Sequence, residues 1–318
     1  MKKIICISIM ILVLLLTGCK TRDEAVISTN YRMGTEAMKM SFIKNMPTDT
    51  IFSGEVFNIG INLENVGAHE ILNGKITVSG YERNQYEFEG GNTQKFQLQG
   101  KNMFTPAGEQ APVIFNVKST CFPAMAQQIR TDLKTTFRAT ACFTYATVAS
   151  TQVCVDTNPL SSQTAKKKVC DVKAIELSGG QGAPIAVTKI EPSMIPIGNG
   201  VKARFLIHLK NLNTKGVVYA TDAVQDNCER SDLQNKVLFG ARLSNQLMDC
   251  TPQGEITLRL GEETLVSCET DLGLAGGVYE TDLSVGMEYA YSQDVSKQVT
   301  VKKPLDVDIP DCTDVLSK

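Results

Sequence analysis

The chain has 318 residues, a formal net charge of −2, 42% hydrophobic and 21% charged residues, ten cysteines, two histidines and no tryptophan. That hydrophobic content excludes a disordered chain, and 24 glycines with 11 prolines exclude a collagenous one. A near-neutral balance leaves no large basic surface for nucleic acid, and His69 and His208 alone are thin material for a His-based triad or a multi-His metal site.

Lys2 and Lys3 open the chain as a short positive region, and an apolar run follows from Ile4 to Leu16. A helix of that length spans roughly 20 Å, short of the roughly 30 Å hydrocarbon core of a bilayer, so the run reads as the core of a signal peptide. It ends in Leu16-Thr17-Gly18-Cys19, which resembles the lipobox of lipoprotein signal peptides. The resemblance implies that the Cys19 thiol accepts a glyceryl lipid and that the bond before it is cut. Residues 1–18 are then the signal peptide and 19–34 a polar tether. The membrane is a partner through the lipid on Cys19, at the outer face of the cell membrane. Two buried acyl chains make such an anchor stable, where one holds only marginally. Removing residues 1–18 takes away two lysines and no acid, lowering the net charge from −2 to −4.

Downstream the dominant signal is alternation. Phe57-Asn58-Ile59-Gly60-Ile61-Asn62-Leu63 alternates apolar and polar residues as a half-buried strand does, and Asn65 and Gly67 end it. Lys75–Ser79, Val113–Val117 and Phe137–Tyr145 continue the pattern. In the last of these Phe137, Phe143 and Tyr145 share one face and Cys142 takes the other. After a polar segment with Pro159 and Lys166-Lys167-Lys168, the pattern returns in Val201–Leu209, Ile256–Leu260 and Leu283–Tyr291. Short strands separated by Gly, Asn and Pro turns predict an all-β fold of sandwiches.

Two matches share one offset. Ile61, Leu63 and Asn65 align with Ile207, Leu209 and Asn211, and Tyr145…Gln152-Val153-Cys154-Val155 aligns with Tyr291…Gln298-Val299-Thr300-Val301, each at 146 residues. This predicts two tandem immunoglobulin-like β-sandwiches at 35–156 and 183–303, a linker at 157–182 and an acidic tail at 304–318. Without tryptophan, the antibody-type core of Trp packed on a disulfide is excluded.

With Cys6 leaving in the signal and Cys19 lipidated, eight cysteines remain: Cys121, Cys142, Cys154 and Cys170 in one half, Cys228, Cys250, Cys268 and Cys312 in the other. No pair has CxxC spacing, so disulfides are expected rather than zinc, in keeping with an exported chain. Confinement within each half reduces the 105 connectivities open to eight cysteines to nine. Sequence proximity favours Cys121–Cys142 and Cys154–Cys170, with the cysteines stapling strand ends and loops from outside the core and Cys312 stapling the tail back.

The run Phe57–Gly67, with Gly54 upstream, resembles the first long strand of CARDB-like and related immunoglobulin-like modules of prokaryotic surface proteins. Gly180-Gln181-Gly182-Ala183-Pro184-Ile185-Ala186-Val187-Thr188-Lys189-Ile190-Glu191, followed by a second such sandwich, resembles uncharacterised archaeal surface proteins of small-genome lineages. The second half departs from the pattern, with Asn213-Thr214-Lys215-Gly216 in place of the compact Asn-Val-Gly turn. The resemblance implies adhesion, envelope architecture or substrate capture and transfers no catalytic residue.

Motifs that suggest chemistry lack their partners. Leu177-Ser178-Gly179-Gly180-Gln181 spells the signature of transporter ATPases, but no GxxxxGK[ST] loop exists. Ser41-Phe42-Ile43-Lys44 fits SxxK without an SDN or KTG. His208, beside Arg204 and Lys210, reads as a solvated sheet residue, and His69 as part of a turn. Asp306, Asp308 and Asp311 lack the glycine-containing loop of a calcium site. Tyr81, Tyr86 and Phe88 near Gly90-Gly91 are the one cluster suited to a sugar platform, against the simpler reading of a hairpin packed on its sheet. The sequence thus predicts a non-enzymatic surface module without cofactor, its further partner another surface protein or envelope component. The alternative is a solute-capture or accessory lipoprotein of a transporter or secretion complex.

Overall fold

The alternating segments fold into eighteen β-strands, in a computed structural model that describes residues 31–123, 126, 132–159, 168–273, 277–304 and 309–312. The expected signal peptide, Cys19 with its lipid, most of the tether, Lys166 and Lys167, and Asp306 and Asp308 lie outside the described residues.

Three sheets, antiparallel but for one short marginal strand, carry the described chain. In the N-terminal half, β1 (Met38–Phe42), β3 (Val56–Asn65), β7 (Gln110–Ser119) and β5 (Tyr86–Phe88) pair in that order. In the C-terminal half the order is β15 (Asp249–Thr251), β17 (Thr264–Gly273), β11 (Gly200–Asn211), β10 (Ile185–Ile197) and β9 (Ile175–Glu176). The third sheet has nine strands and draws on both halves. Its main path runs β14 (Gln246–Leu247), β13 (Lys236–Leu243), β18 (Val278–Lys302), β8 (Leu133–Asp156), β4 (Ile71–Ser79), β6 (Thr93–Leu98). On its margins β12 (Gly216–Tyr219) pairs antiparallel with β18, β16 (Gly254–Thr257) with β13, and β2 (Thr50–Phe52) runs parallel to β18.

The pairing of β8 with β18 organises everything else. All 24 residues of β8 find a partner, from Leu133↔Val301 to Asp156↔Val278. The halves expected at 35–156 and 183–303 are therefore not free of one another, and residues Tyr31–Lys318 form one compact unit. Odd-numbered residues of both strands turn inward along most of their length. Over them lie Ile59, Ile61, Leu63 and Phe115 from one smaller sheet and Phe205, Ile207, Leu209 and Val266 from the other, in one continuous core. Full burial of each such side chain contributes about 1.5–3 kcal/mol. The result is sandwich-like: one long sheet faces two short ones. On the outer face of the long sheet two 3-10 helices, η1 (Thr221–Asp226) and η2 (Ser231–Leu233), sit against Cys142 and Ala290, and the segment at Lys168–Cys170 reaches Cys154 and Asp156.

The offset of 146 recurs in three dimensions. It carries β8 onto β18, β3 onto β11, and Thr144 onto Ala290, which face each other in the β8–β18 ladder. Thr144 thus marks a local pseudo-dyad, flanked by Phe143↔Tyr291 and Tyr145↔Tyr289. The turn after the first long strand repeats as well. Gly67 N–H donates to Asn65 Oδ1 at 3.1 Å, and Asn213 N–H to Asn211 Oδ1 at 3.0 Å. Despite the different residues in the second half, the same side chain closes the same turn. Tyr145 accepts from His69 N–H at 3.1 Å and donates to the Gly182 carbonyl at 3.2 Å, while Tyr291 reaches the Asn213 carbonyl at 3.4 Å. A Cβ at Gly67 would overlap the Tyr145 hydroxyl, so glycine is required there for close approach.

Four disulfides join all eight cysteines, and two of them cross between the halves: Cys121–Cys312 and Cys142–Cys228. This corrects the expected confinement within halves and the pair Cys121–Cys142. The reason is topological. Cys142 projects from the outer face of β8, opposite Lys75 and Ser292, and η1 and η2 bring Cys228 over it. Cys154–Cys170 closes the start of the linker as anticipated, although Ile175–Glu176 of that linker joins the second small sheet as β9. Cys250–Cys268 also departs from expectation. It bridges directly opposed residues of β15 and β17 within the core rather than outside it.

Burial pushes the phenols of Tyr145, Tyr289 and Tyr291 far above their ordinary range. The folded state keeps them neutral, so their contribution to stability is complete below about pH 10 and declines as pH rises beyond it. A spectrophotometric titration should find three of the eight tyrosines ionising only as the protein unfolds. Ionisation of all eight near pH 10 in the folded protein would contradict this arrangement.

Candidate functional site

An open groove of about 710 Å³ lies on the outer face of the nine-stranded sheet. Alternation explains its floor. On β4 the inward residues after the bulge are Gly74, Ile76 and Val78, which leaves Asn73 and Lys75 outward; on β6, Phe96 and Leu98 face in while Lys95 and Gln97 face out. Thr144 of β8 extends the floor to the pseudo-dyad. One wall is η1, through Thr221, Val224 and Gln225, held down by Cys142–Cys228.

Lys75 and Lys95 stand directly opposite each other in the β4–β6 register. Like charges so placed repel, a cost of roughly 0.2–1 kcal/mol. Lys75 Nζ donates to the Gln225 carbonyl at 2.9 Å, which ties it to the wall and leaves two of its protons unused. Lys95 is exposed, and among the described residues no carboxylate lines the groove or pairs with either lysine. The floor offers the side-chain amides of Asn73 and Gln97, and the wall that of Gln225. Thr144 and Thr221 add hydroxyls; Leu72, Phe96 and Val224 add apolar surface. Chemically the groove is a cationic trough rimmed by neutral hydrogen-bonding groups.

A smaller trough of about 470 Å³ on the same face is floored by the paired glycines Gly240 and Gly286. It is rimmed by exposed Val148, Leu238 and Leu247, with Arg242 and Glu288 as opposite charges.

The residues singled out in the sequence lie elsewhere. His208 is on the polar face of β11 but is not solvated: Nδ1 is 2.7 Å from Glu263 Oε2 and Nε2 is 3.2 Å from Glu191 Oε1. His208 and Thr188 beside Glu263 hold its carboxyl below the usual carboxylate range, and Lys189 does the same for Glu191. His69 packs edge-on against Tyr145, and burial holds its imidazole below the usual range against the opposing charges of Glu70 and Glu288. Among the described residues no group of His, Cys, Asp or Glu is arranged to hold a metal ion. Ser41 stands on β1 opposite Asn62, with no hydrogen bond to Lys44.

The aromatic cluster is packed into the core, but not as a hairpin: β5 pairs with β7 in one sheet and β6, beyond Gly90-Gly91, with β4 in the other. Tyr81 stacks on Phe88 at 4.9 Å, Tyr86 meets Phe137 edge-on at 5.2 Å, and Phe88 leans on Phe115. The Gly179-Gly180 stretch is a turn: the Gly179 carbonyl accepts from Gly34 N–H at 2.8 Å, and both glycines have positive φ.

The fold and groove define an all-β, sandwich-like protein closed by four disulfides, which is consistent with export. Among the described residues no helix is long and apolar enough to cross a membrane. No family model and no curated protein matches the sequence. Solved structures that align with it include one titled pT26-6p, at 10% identity over 88% of this chain and 66% of that chain, with a TM-score of 0.17. Red sea bream transglutaminase aligns at 10% identity over 85% of this chain and 32% of that chain, with a TM-score of 0.19. The chain therefore spans less than two thirds of either structure, and at these scores neither carries an argument about fold or activity.

Proposed function

We propose that this protein is a lipid-anchored module of the cell surface, non-enzymatic, serving a structural, adhesion or ligand-binding role. Its membrane attachment is a lipid on Cys19 and its further partner another surface protein or envelope component. The observation that carries the reading is the disulfide framework: every cysteine from Cys121 onward is paired, as suits an oxidising exterior. The halves are read as duplicated immunoglobulin-like sandwiches fused through their last strands. The repeated turn at Asn65 and Asn211, the paired tyrosines and the pseudo-dyad at Thr144 support that descent. Resemblance of Phe57–Gly67 to CARDB-like modules points the same way. Such a body suits presentation: a stiff sheet carries an open groove while the chemistry of attachment stays at the N-terminus.

Cys19→Ser tests the reading. Phase partitioning and membrane fractionation should move the variant from the membrane to the soluble extracellular fraction while its four disulfides still form. A variant that stays with the membrane sinks the lipid anchor.

A further inference from the structure

We propose that the groove over β4 and β6 binds a carboxylated oligosaccharide, of the uronic-acid type, with the carboxylate seated between Lys75 and Lys95. This deepens the reading of the protein as a ligand-binding surface module and rests on it.

The first argument is charge. Two ammonium groups face each other across adjacent strands on a sheet face where a neutral or acidic partner would have cost nothing. No carboxylate of the described protein relieves them. An anion between them turns the repulsion into two charge-assisted hydrogen bonds, about twice as strong as neutral ones. Lys75 is already held by the Gln225 carbonyl at 2.9 Å, so one of the two donors is oriented before any ligand arrives.

The second argument is what surrounds the charge. Asn73 and Gln225 offer paired donors and acceptors, Gln97 offers its amide oxygen and a second N–H while its Nε2 donates to the Leu72 carbonyl at 3.0 Å, and Thr144 and Thr221 offer hydroxyls, spread over β6, β4, β8 and η1. At about 4.8 Å per strand, the three strands of the floor span roughly 10 Å in all, so the floor continues one strand beyond the Lys75–Lys95 pair. A ligand that fills the groove therefore seats one acidic group between the lysines and sets neutral hydroxyls against the amides and threonines beside them. Inorganic phosphate would leave the amides idle. A nucleic acid strand would call for exposed rings to stack on, and the one ring lining the groove, Phe96, is buried and packed against Phe143. The volume of about 710 Å³ lies within the range of small-ligand sites.

The third argument is rigidity. Cys142–Cys228 fixes the η1 wall to the floor, so the groove does not depend on a mobile loop for its shape.

Calorimetric titration of the purified, disulfide-bonded full chain with trigalacturonate, maltotriose and inorganic phosphate decides the matter. Trigalacturonate should bind, with maltotriose weaker by about tenfold or more through loss of the charge-assisted contact, and phosphate weaker by a similar factor through loss of the neutral hydrogen bonds to the amides. Lys95→Glu should weaken trigalacturonate by at least about tenfold, and Gln97→Ala by a few-fold, with unchanged far-ultraviolet circular dichroism. Lys118→Glu, on β7 of the opposite layer, should leave binding as in the parent. No binding of trigalacturonate, parental affinity in Lys95→Glu, or phosphate binding as tightly as the uronate would each overturn the proposal. Membrane release by Cys19→Ser is read independently, so failure at the groove is distinguishable from failure of the surface assignment.

Discussion

Replacing Cys121 and Cys312 together by serine will lower the unfolding free energy by about 5 kcal/mol, against about 3 kcal/mol for Cys154→Ser with Cys170→Ser. The difference follows from what each bond removes from the unfolded chain. Cys121–Cys312 closes a loop of 191 residues and Cys154–Cys170 one of 16, and the entropy taken from the unfolded state grows with the logarithm of that span. The long bond also returns the C-terminal segment to the first half. Phe122 N–H donates to the Pro310 carbonyl at 3.1 Å, and buried Ser53 Oγ donates to the Cys121 carbonyl at 2.9 Å. Without the bond, residues 309–312 are held by noncovalent contacts such as the Pro310 carbonyl bond and the packing of Ile309 against the core. Urea unfolding followed by tyrosine fluorescence measures both variants, since the chain has no tryptophan to mask the signal. A larger loss from the short loop than from the long one would show that the cross-half bond does not organise the fold.

That bond also marks the border of what the sequence makes legible. Period-two alternation tells which face a residue takes, and it did so for Phe57–Leu63, Val113–Val117, Val201–Leu209 and the opposed phases of Cys142 and Phe143. It says nothing of which strand lies alongside. Nothing local in Leu133–Asp156 reveals a 24-residue strand matched residue for residue with one that begins at Val278. Once that pairing is missed, so are Cys142–Cys228 and Cys121–Cys312, because proximity in sequence no longer measures proximity in space. The groove was hidden for the same reason. Lys75 and Lys95 each sit on the polar phase of a strand, and only the β4–β6 register makes them a facing pair. At Ile256–Leu260 the pattern overreached: the strand ends at Thr257, Leu258 is buried beyond it and Leu260 is 78% exposed. The burial of His208 has no signature along β11, because Glu191 and Glu263 reach it from β10 and from the segment before β17.

Tyr289→Ala will destabilise the whole molecule by about 3–5 kcal/mol, the cost of emptying a large buried ring site, rather than its own half alone. Tyr289 is fully buried beside the pseudo-dyad, opposite Tyr145 in the ladder, with the ring centroids 6.3 Å apart. Its hydroxyl shares a hydrogen bond of 3.0 Å with Thr147 Oγ1, which in turn donates to the Ile185 carbonyl at 2.9 Å. From Tyr145 the contacts continue through Phe143 to Phe96 of β6. The ring therefore touches both halves through neighbours that cannot shift independently. Separation of the halves would also strip β8 of its partner and expose a long unpaired edge, a state with nothing to stabilise it. Native-state hydrogen exchange at Ile59 and Ile61 of β3 and at Phe205 and Ile207 of β11 should accelerate together in the variant, with a single calorimetric transition in both proteins. Acceleration confined to β11, or two resolved transitions in the parent, would mean that the shared sheet joins two domains without coupling them.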